Sequence, residues 1–188
     1  MGYREEIEAF IPHNEQEKKD RQVILDFIGV YGDQTLFRSC ETAHLTSSAF
    51  IVNQTFDKAL MVYHTLRDVW AWTGGHADGE EDLESVARRE AEEETGITGL
   101  SLLSDGIGSI DILVMPGHIR KGEYVNTHLH LSVAYLYMAD DTKPLRIAPE
   151  ENKAVQWMDV SEFTDKYFAE DDVYLYHKLI RYAREGGK

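Results

Sequence analysis

The chain has 188 residues, of which 43% are hydrophobic, and 19 Lys and Arg against 34 Asp and Glu give a formal net charge of −15. This length and composition predict one domain with a hydrophobic core and an added segment, and no apolar run reaches membrane-spanning length. The acidic balance argues against nucleic-acid binding, which usually requires a basic surface. The charged N-terminus lacks the apolar stretch of a signal peptide, so we expect a cytoplasmic protein.

Residues 1–43 predict an N-terminal helical extension, with helices over 3–10 and 15–31 and with Asn14 as the N-cap of the second. The apolar stripe of the second helix consists of Val23, Phe27 and Val30. We expect the extension to pack against the remaining chain and assign it no chemistry. Its apolar stripe also makes a homodimer a reasonable expectation.

Residues 44–188 predict a mixed α and β domain. The expected strands cover 48–53, 59–64, 69–72, 109–115, 129–138 and 154–158, and a loop covers 116–126. A helix is expected over 83–95, where Gly96 follows as the C-terminal stop, and another from Asp171 or Asp172 to Arg184. Ser161 is expected to cap a short helix between the last strand and the last helix.

The most informative segment, 75–97, places a glycine loop before a helix with a dense carboxylate face. Glu90 and Glu94 lie one turn apart, and Glu93 lies beside them. Like charges at such spacings destabilise a helix by about 0.2–0.5 kcal/mol per pair, so stability alone does not explain the set. A hard divalent cation with oxygen ligands would relieve the repulsion. The segment therefore predicts a site for a metal-diphosphate complex.

This segment resembles the signature of the Nudix hydrolase family. The matching positions are Gly75, Glu81, Arg89, Glu90, Glu93, Glu94, Gly96 and Ile97. One local departure is Glu80, which stands where the family often has a glycine and displaces Gly79 by one position. The resemblance implies an α/β/α sandwich with a mixed β-sheet over 44–188, to which the helical extension is added.

The resemblance also implies roles for residues of the signature. Glu90, Glu93 and Glu94 are expected to bind Mg²⁺ or Mn²⁺, with the backbone carbonyl of Gly75 as a further ligand. Glu93 and Glu94 are catalytic candidates, since coupled carboxylates leave the identity of the general base open. The structural members of the motif are expected to be Glu81, Arg89 and Gly96.

Outside the signature, Glu150 and Glu151 precede the last strand, and Glu151 is our catalytic candidate because a carboxylate from this side of the fold acts in several Nudix enzymes. The alternative for both residues is a solvent-facing loop. Substrate contacts are expected from His76, His128, His130 and Arg120, with Lys121 beside the last. His128 and His130 should face one side of their strand. Ordinary loop or solvent contacts remain the alternative for all of them.

Three functional classes stay open. The first is a metal-dependent hydrolase of a nucleoside diphosphate linked to another moiety, such as a nucleotide sugar, an ADP-ribose-like compound, a dinucleotide or a nucleoside triphosphate. The second is an enzyme similar to isopentenyl-diphosphate isomerase, although Cys40 lies too early in the chain to favour it. The third is a non-catalytic nucleotide sensor. In each class the partner is a small molecule, with no nucleic acid and no membrane.

Overall fold

The computed structural model describes residues 2–65, 67–120 and 122–186. Helix α1 (Tyr3–Ala9) and helix α2 (Glu15–Tyr31) come first, followed by a short 3₁₀ helix (Gly32–Leu36). The side chain of Asn14 accepts a hydrogen bond of 2.9 Å from the Glu17 backbone, which confirms the predicted N-cap.

Eight strands form one mixed sheet, and two others form a separate hairpin. The strands are β1 (Ala43–Asn53), β2 (Lys58–His64), β3 (Val69–Ala71), β4 (Thr73–His76), β5 (Ser101–Leu102), β6 (Ser109–Met115), β7 (His118–Arg120), β8 (Glu123–Val125), β9 (His128–Ala139) and β10 (Asn152–Asp159). Within the sheet β1 and β9 are parallel, whereas the other pairs are antiparallel. The main path runs β10-β2-β1-β9-β5, while β4 pairs with the first half of β1.

Helices cover both faces of this sheet. Helices α1, α2 and α3 (Leu83–Thr95) pack on one face, and α4 (Glu170–Gly186) packs on the other. Strand β1 supplies Leu45 and Ile51 to the first core and Phe50 and Val52 to the second, as the two-residue period of a strand requires. The predicted α/β/α arrangement with an N-terminal helical extension is confirmed.

The extension shares the core of the first face rather than standing apart from it. Ile24 and Ile28 of α2 are buried, whereas Val23 and Val30 are 51% and 77% exposed. The predicted stripe was therefore wrong by about one position. Of its three residues, Phe27 alone is partly buried against the core. The domain boundary after residue 43 and the homodimer stay predictions.

A buried ionic network ties α2 to β6 and α4. Lys178 hydrogen-bonds to Asp111, and its Nζ lies 3.4 Å from Glu17 Oε1. The Ser109 hydroxyl lies 2.9 Å from Glu17 and 3.0 Å from Asp111. Because all four side chains are buried, the network fixes the extension against the last helix.

Three sequence expectations need correction. The segment 118–125, expected to be a loop, contains the β7–β8 hairpin, whose strands are only three residues each. The glycine loop begins as strand β4, because Gly74 and Gly75 pair with Ser48 and Ser47 of β1. The short helix after β10 is capped by Asp159 rather than Ser161.

The last helix begins at Glu170, a residue before the predicted start. No helix in the described ranges is both long enough and apolar enough to cross a membrane.

Candidate metal and diphosphate site

Helix α3 carries the carboxylates and is fixed at both ends. Asp82 caps its N-terminus by accepting a hydrogen bond of 3.0 Å from the Ser85 backbone. At the other end Gly96 has a left-handed conformation with φ of 69°, which a residue with a side chain adopts with strain. Leu83 and Ala87 are fully buried under the helix. These contacts set the rotation of α3, which brings the first and last glutamates of its Glu90–Glu94 run toward β4.

Three carboxylates converge at this point: Glu90 and Glu94 of α3 and Glu151 from the turn before β10. One carboxylate oxygen from each lies within 4.8 Å of the others. Arg89 pairs with Glu90 at 3.1 Å, but Glu94 and Glu151 have no ion pair within the described ranges. The cluster is therefore short of positive charge.

Glu94 is the most enclosed member, with 8% of its surface exposed. The pKa of Glu94 is raised to about 8, mainly by burial and also by the neighbouring carboxylates of Glu151 and Glu90, while a weak hydrogen bond of 3.4 Å from the Gly74 backbone opposes the shift. Burial also raises the pKa of Glu90, and the guanidinium of Arg89 opposes this shift. Both directions indicate a site that disfavours its own negative charge until a cation is present.

The glycines of β4 allow the strand to pass directly beside these carboxylates. A Cβ atom on Gly75 would lie 2.6 and 2.7 Å from the two carboxylate oxygens of Glu90. A Cβ atom on Gly74 would lie 2.8 Å from the Ser47 carbonyl oxygen. Any side chain at either position would displace the carboxylate or the strand. The role of the Gly75 carbonyl as a ligand stays a prediction.

Arg89 connects the loop to the helix, as the signature implies, but through a different partner. It pairs with Glu80 at 2.6 Å and lies 3.7 Å from Glu93, while the described residues give Glu81 no ion pair. Glu93 has a side chain that is 59% exposed and lies outside the three-carboxylate cluster. The predicted roles of Glu81 and Glu93 are therefore not supported by contacts, and both stay predictions.

Sequence reasoning missed Asn152, which positions the turn that carries Glu151. This buried side chain donates a hydrogen bond of 2.8 Å to the Glu94 carbonyl and accepts one of 3.2 Å from the Ala148 backbone. It therefore joins the turn to the C-terminal end of α3. An asparagine directly after two acidic residues was the available signal, but only the folded contacts reveal its role.

A group of histidines lies on neighbouring strands of the sheet. His44, His76 and His130 each place one ring nitrogen within 4.8 Å of the others. His128 joins at the edge, where its Nε2 lies 3.3 Å from that of His130. The pKa of His76 is lowered to about 3, mainly by burial and also by the neighbouring charges of Arg38 and His44. The pKa of His130 is lowered to about 2, mainly by burial and also by the rings of His76 and His44.

Three of these histidines were expected to contact substrate, and the structure places them together. His44 was missed because its position depends on the parallel register of β1 and β9, which pairs His44 with His130. Local sequence patterns do not reveal such a register. Arg120 lies exposed on β7, close enough for its charge to lower the pKa of His76. Lys121 lies outside the described residues.

Arg38, from the loop after the first 3₁₀ helix, was also missed. It pairs with Asp78 in the glycine loop at 2.6 Å, and the same segment places the ring of Phe37 against Gly79. Gly79 has φ of 95° and donates a backbone hydrogen bond of 3.1 Å to Leu36. The end of the N-terminal extension therefore holds the glycine loop in place.

The comparisons with known proteins agree with this architecture. A NUDIX domain model matches residues 42–179, which is most of the chain, so the protein belongs to the NUDIX family. A NUDIX hydrolase from Clostridium perfringens superposes with a TM-score of 0.54 at 19% identity, over 76% of this chain and 97% of that one. An Ap4A hydrolase from C. elegans, solved as a binary complex, gives 0.52 at 16% identity, over 75% and 98%.

A MutT protein from Methanosarcina mazei Go1 gives a TM-score of 0.50 at 17% identity, over 79% of this chain and 98% of that one. Similarity at such low identity shows a shared fold and does not transfer a substrate. No curated protein matches the sequence.

Proposed function

We propose that this protein is a metal-dependent hydrolase that cleaves the diphosphate linkage of a nucleoside diphosphate derivative, with Mg²⁺ or Mn²⁺ as its cofactor. The observation that carries the proposal is the cluster of Glu90, Glu94 and Glu151, which lies beside a glycine strand. Dense oxygen ligands with an uncompensated negative charge suit a hard cation. A substrate that already carries phosphate oxygens would complete the coordination of that cation.

The carboxylates differ in what they can do. Glu94 is buried and fixed against the Gly74 backbone, and Glu90 is held by Arg89, so both suit a metal ligand of fixed position. A bound divalent cation would neutralise phosphate charge and favour ionisation of a coordinated water. Glu151 is exposed and lies on a turn, so its carboxylate can reach a water molecule in the open part of the site.

We therefore assign Glu151 the role of general base, and Glu93 is the alternative. In the reaction the water oxygen forms a bond to phosphorus, the bridging P–O bond breaks, and the water proton passes to the carboxylate. His76, His128, His130 and Arg120 are our candidates for contact with the rest of the substrate. Because water attacks phosphorus directly, this scheme requires no covalent nucleophile from the protein.

A direct test incubates the purified protein with a panel of nucleotide sugars, ADP-ribose, dinucleoside polyphosphates, nucleoside triphosphates and isopentenyl diphosphate. Each is tested with Mg²⁺, with Mn²⁺ and with chelator, and products are identified by mass spectrometry. We expect metal-dependent cleavage of one class of nucleotide. Isomerised isopentenyl diphosphate would instead support the isomerase class, and binding without turnover would support the sensor.

Two variants of α3 show whether the turnover belongs to this site. Glu94→Gln should lower metal-dependent turnover by at least about a hundredfold, since even outer partners of metal ligands typically contribute 10- to 100-fold. Glu92→Gln makes the same chemical change at an exposed position of the same helix and should leave turnover unchanged. Equal turnover in the two variants would place the chemistry elsewhere.

A further inference from the structure

The histidine cluster lies at the start of β1 and β9 and at the end of β4, and it differs in chemistry from the carboxylate cluster. We propose that His44, His76 and His130 form a second metal site, which binds a divalent transition-metal ion such as zinc. Imidazole is a ligand that suits zinc and its neighbours in the first transition row, whereas magnesium prefers oxygen. The two clusters would therefore select different metals.

The positions of the three rings support a common ligand. Their nearest ring nitrogens lie within 4.8 Å of one another. Around a tetrahedral zinc ion with Zn–N bonds of about 2.0–2.1 Å, two nitrogen ligands are separated by about 3.3 Å. Small rotations of the side chains bring the three nitrogens to that separation. Three histidines would leave a fourth coordination position for water or a substrate oxygen.

His44 carries the strongest indication that a ligand is expected. Its residue is 4% exposed, and its Nε2 has no hydrogen-bond partner in the described chain. Its Nδ1 lies 3.2 Å from the Cys40 carbonyl oxygen, to which an Nδ1–H donates. That hydrogen bond fixes the tautomer with a lone pair on Nε2, which is the arrangement found for metal-bound histidines. Buried polar nitrogens are otherwise rarely left unpaired.

The strands hold the ligands in place before any metal binds. His44 of β1 pairs in register with His130 of β9, and Thr46 two residues further along β1 pairs with His76 of β4. All three ligands therefore project from one rigid sheet rather than from loops. His128 lies at the edge, where its Nδ1 is 2.8 Å from the Asn126 carbonyl and its Nε2 contacts His130. It serves to orient His130.

The site is tested by titrating the metal-free protein with Co²⁺, which reports its coordination through visible absorption bands, in the presence of excess Mg²⁺. We expect one equivalent of Co²⁺ to bind with the bands of a four- or five-coordinate ion, and Zn²⁺ to displace it. His76→Gln and His130→Gln should each weaken Co²⁺ binding by at least tenfold and alter the bands. Circular dichroism and thermal unfolding show that each variant is folded.

Two controls separate this site from the carboxylate cluster and from ordinary histidines. The double variant Glu90→Gln with Glu94→Gln should bind Co²⁺ as the wild type does, even if it loses turnover. His177→Gln, on α4 where the ring bonds to the Phe163 carbonyl at 2.9 Å, should also bind normally. Absence of Co²⁺ binding, or equal binding after His130→Gln, would overturn the proposal. Loss of binding in the carboxylate double variant alone would assign the ion to the other cluster.

Discussion

Two clusters of carboxylates among the described residues differ in how their negative charge is compensated. At the junction of α2, β6 and α4, Glu17 and Asp111 surround Lys178, and every member is buried. Beside β4, Glu90, Glu94 and Glu151 converge, and among the described residues Glu90 alone of the three forms an ion pair, with Arg89. The first cluster contains its own cation, whereas in our proposal the second receives a metal ion from solution.

This difference is the physical basis on which we propose a structural role for the first cluster and a metal-binding role for the second. Burying a charge costs several kcal/mol unless a partner of opposite charge and further hydrogen bonds compensate it. In the Lys178 network the ammonium and the Ser109 hydroxyl compensate the two carboxylates in part, although burial still raises the pKa of Asp111. In the Glu94 cluster the described residues supply no buried cation, the pKa of Glu94 is raised, and Glu151 lies on an exposed turn. We therefore expect mutations in the first cluster to change mainly the stability of the protein, and mutations in the second to change mainly metal binding and turnover.

The largest expected effect on stability comes from removing the internal cation. Lys178→Met should lower the free energy of unfolding by about 3–5 kcal/mol, because it leaves two buried carboxylates without their partner. Lys58→Met is the matched control, since Lys58 pairs with Asp141 at 2.9 Å near the surface. The control should change stability by at most about 1 kcal/mol. Chemical denaturation measures the unfolding free energy of both variants. Equal losses would show that the buried network stabilises the protein no more than a surface ion pair does.

The next effect is the pH dependence of the metal-free protein. Glu94 has a pKa of about 8 in the fold against 4.5 ordinarily, so between these values the folded protein keeps a proton that the unfolded chain releases. Its contribution to stability is present below about pH 4.5 and is lost as the pH rises toward 8. The slope is at most about 1.4 kcal/mol per pH unit.

Glu94→Gln isolates this effect, since the histidines with lowered pKa values titrate in both proteins. The difference in unfolding free energy between wild type and variant, measured in chelator, should therefore change with pH in the direction given above. Mg²⁺ should reduce the slope of the wild type by favouring ionised Glu94. A difference that does not vary between pH 5 and about pH 8 would mean that Glu94 is already ionised without metal.

A smaller effect is expected from loosening the turn that carries Glu151. Asn152→Ala removes the hydrogen bonds to the Glu94 carbonyl and the Ala148 backbone, and should lower turnover by about 10- to 100-fold. Lys153→Ala, at the next position, is the control, because it removes a surface pair with Asp68 and a contact with the Tyr63 ring but no hydrogen bond to α3. If Asn152 acts by positioning Glu151, a double variant with Glu151→Gln should lose little more than Glu151→Gln alone. Fully additive losses would contradict that role.

The smallest effect should come from Arg89, whose side chain is 41% exposed. Arg89→Gln should change the free energy of unfolding by at most about 1 kcal/mol, because exposed ion pairs contribute little. Metal affinity should rise slightly or stay constant, since the cation that pairs with Glu90 is removed. A large loss of stability, measured by thermal unfolding, would show that Arg89 holds the loop as Lys178 holds the buried network.

The sequence predicted features that depend on local signals and missed features that depend on contacts between distant parts of the chain. Helix α3 and its glutamates were predicted because the helical period and the stop at Gly96 are local signals. His44 and Asn152 were not, since their roles depend on strand register and on a turn far along the chain. The β7–β8 hairpin was missed because its strands are too short to show a period. The buried stripe of α2 was misplaced because Val23 and Ile24 are adjacent and both apolar, so the sequence does not show which of the two is buried.

The central claim is that Glu90, Glu94 and Glu151 form an internally uncompensated site that is completed by a divalent cation. The most direct measurement is anomalous diffraction from a crystal of the protein grown with Mn²⁺ and data collected at the manganese edge. We predict an anomalous peak between these three carboxylates, and its disappearance in the Glu90→Gln, Glu94→Gln double variant. A well-ordered crystal with no peak at the cluster, or a peak that persists in the double variant, would contradict the account.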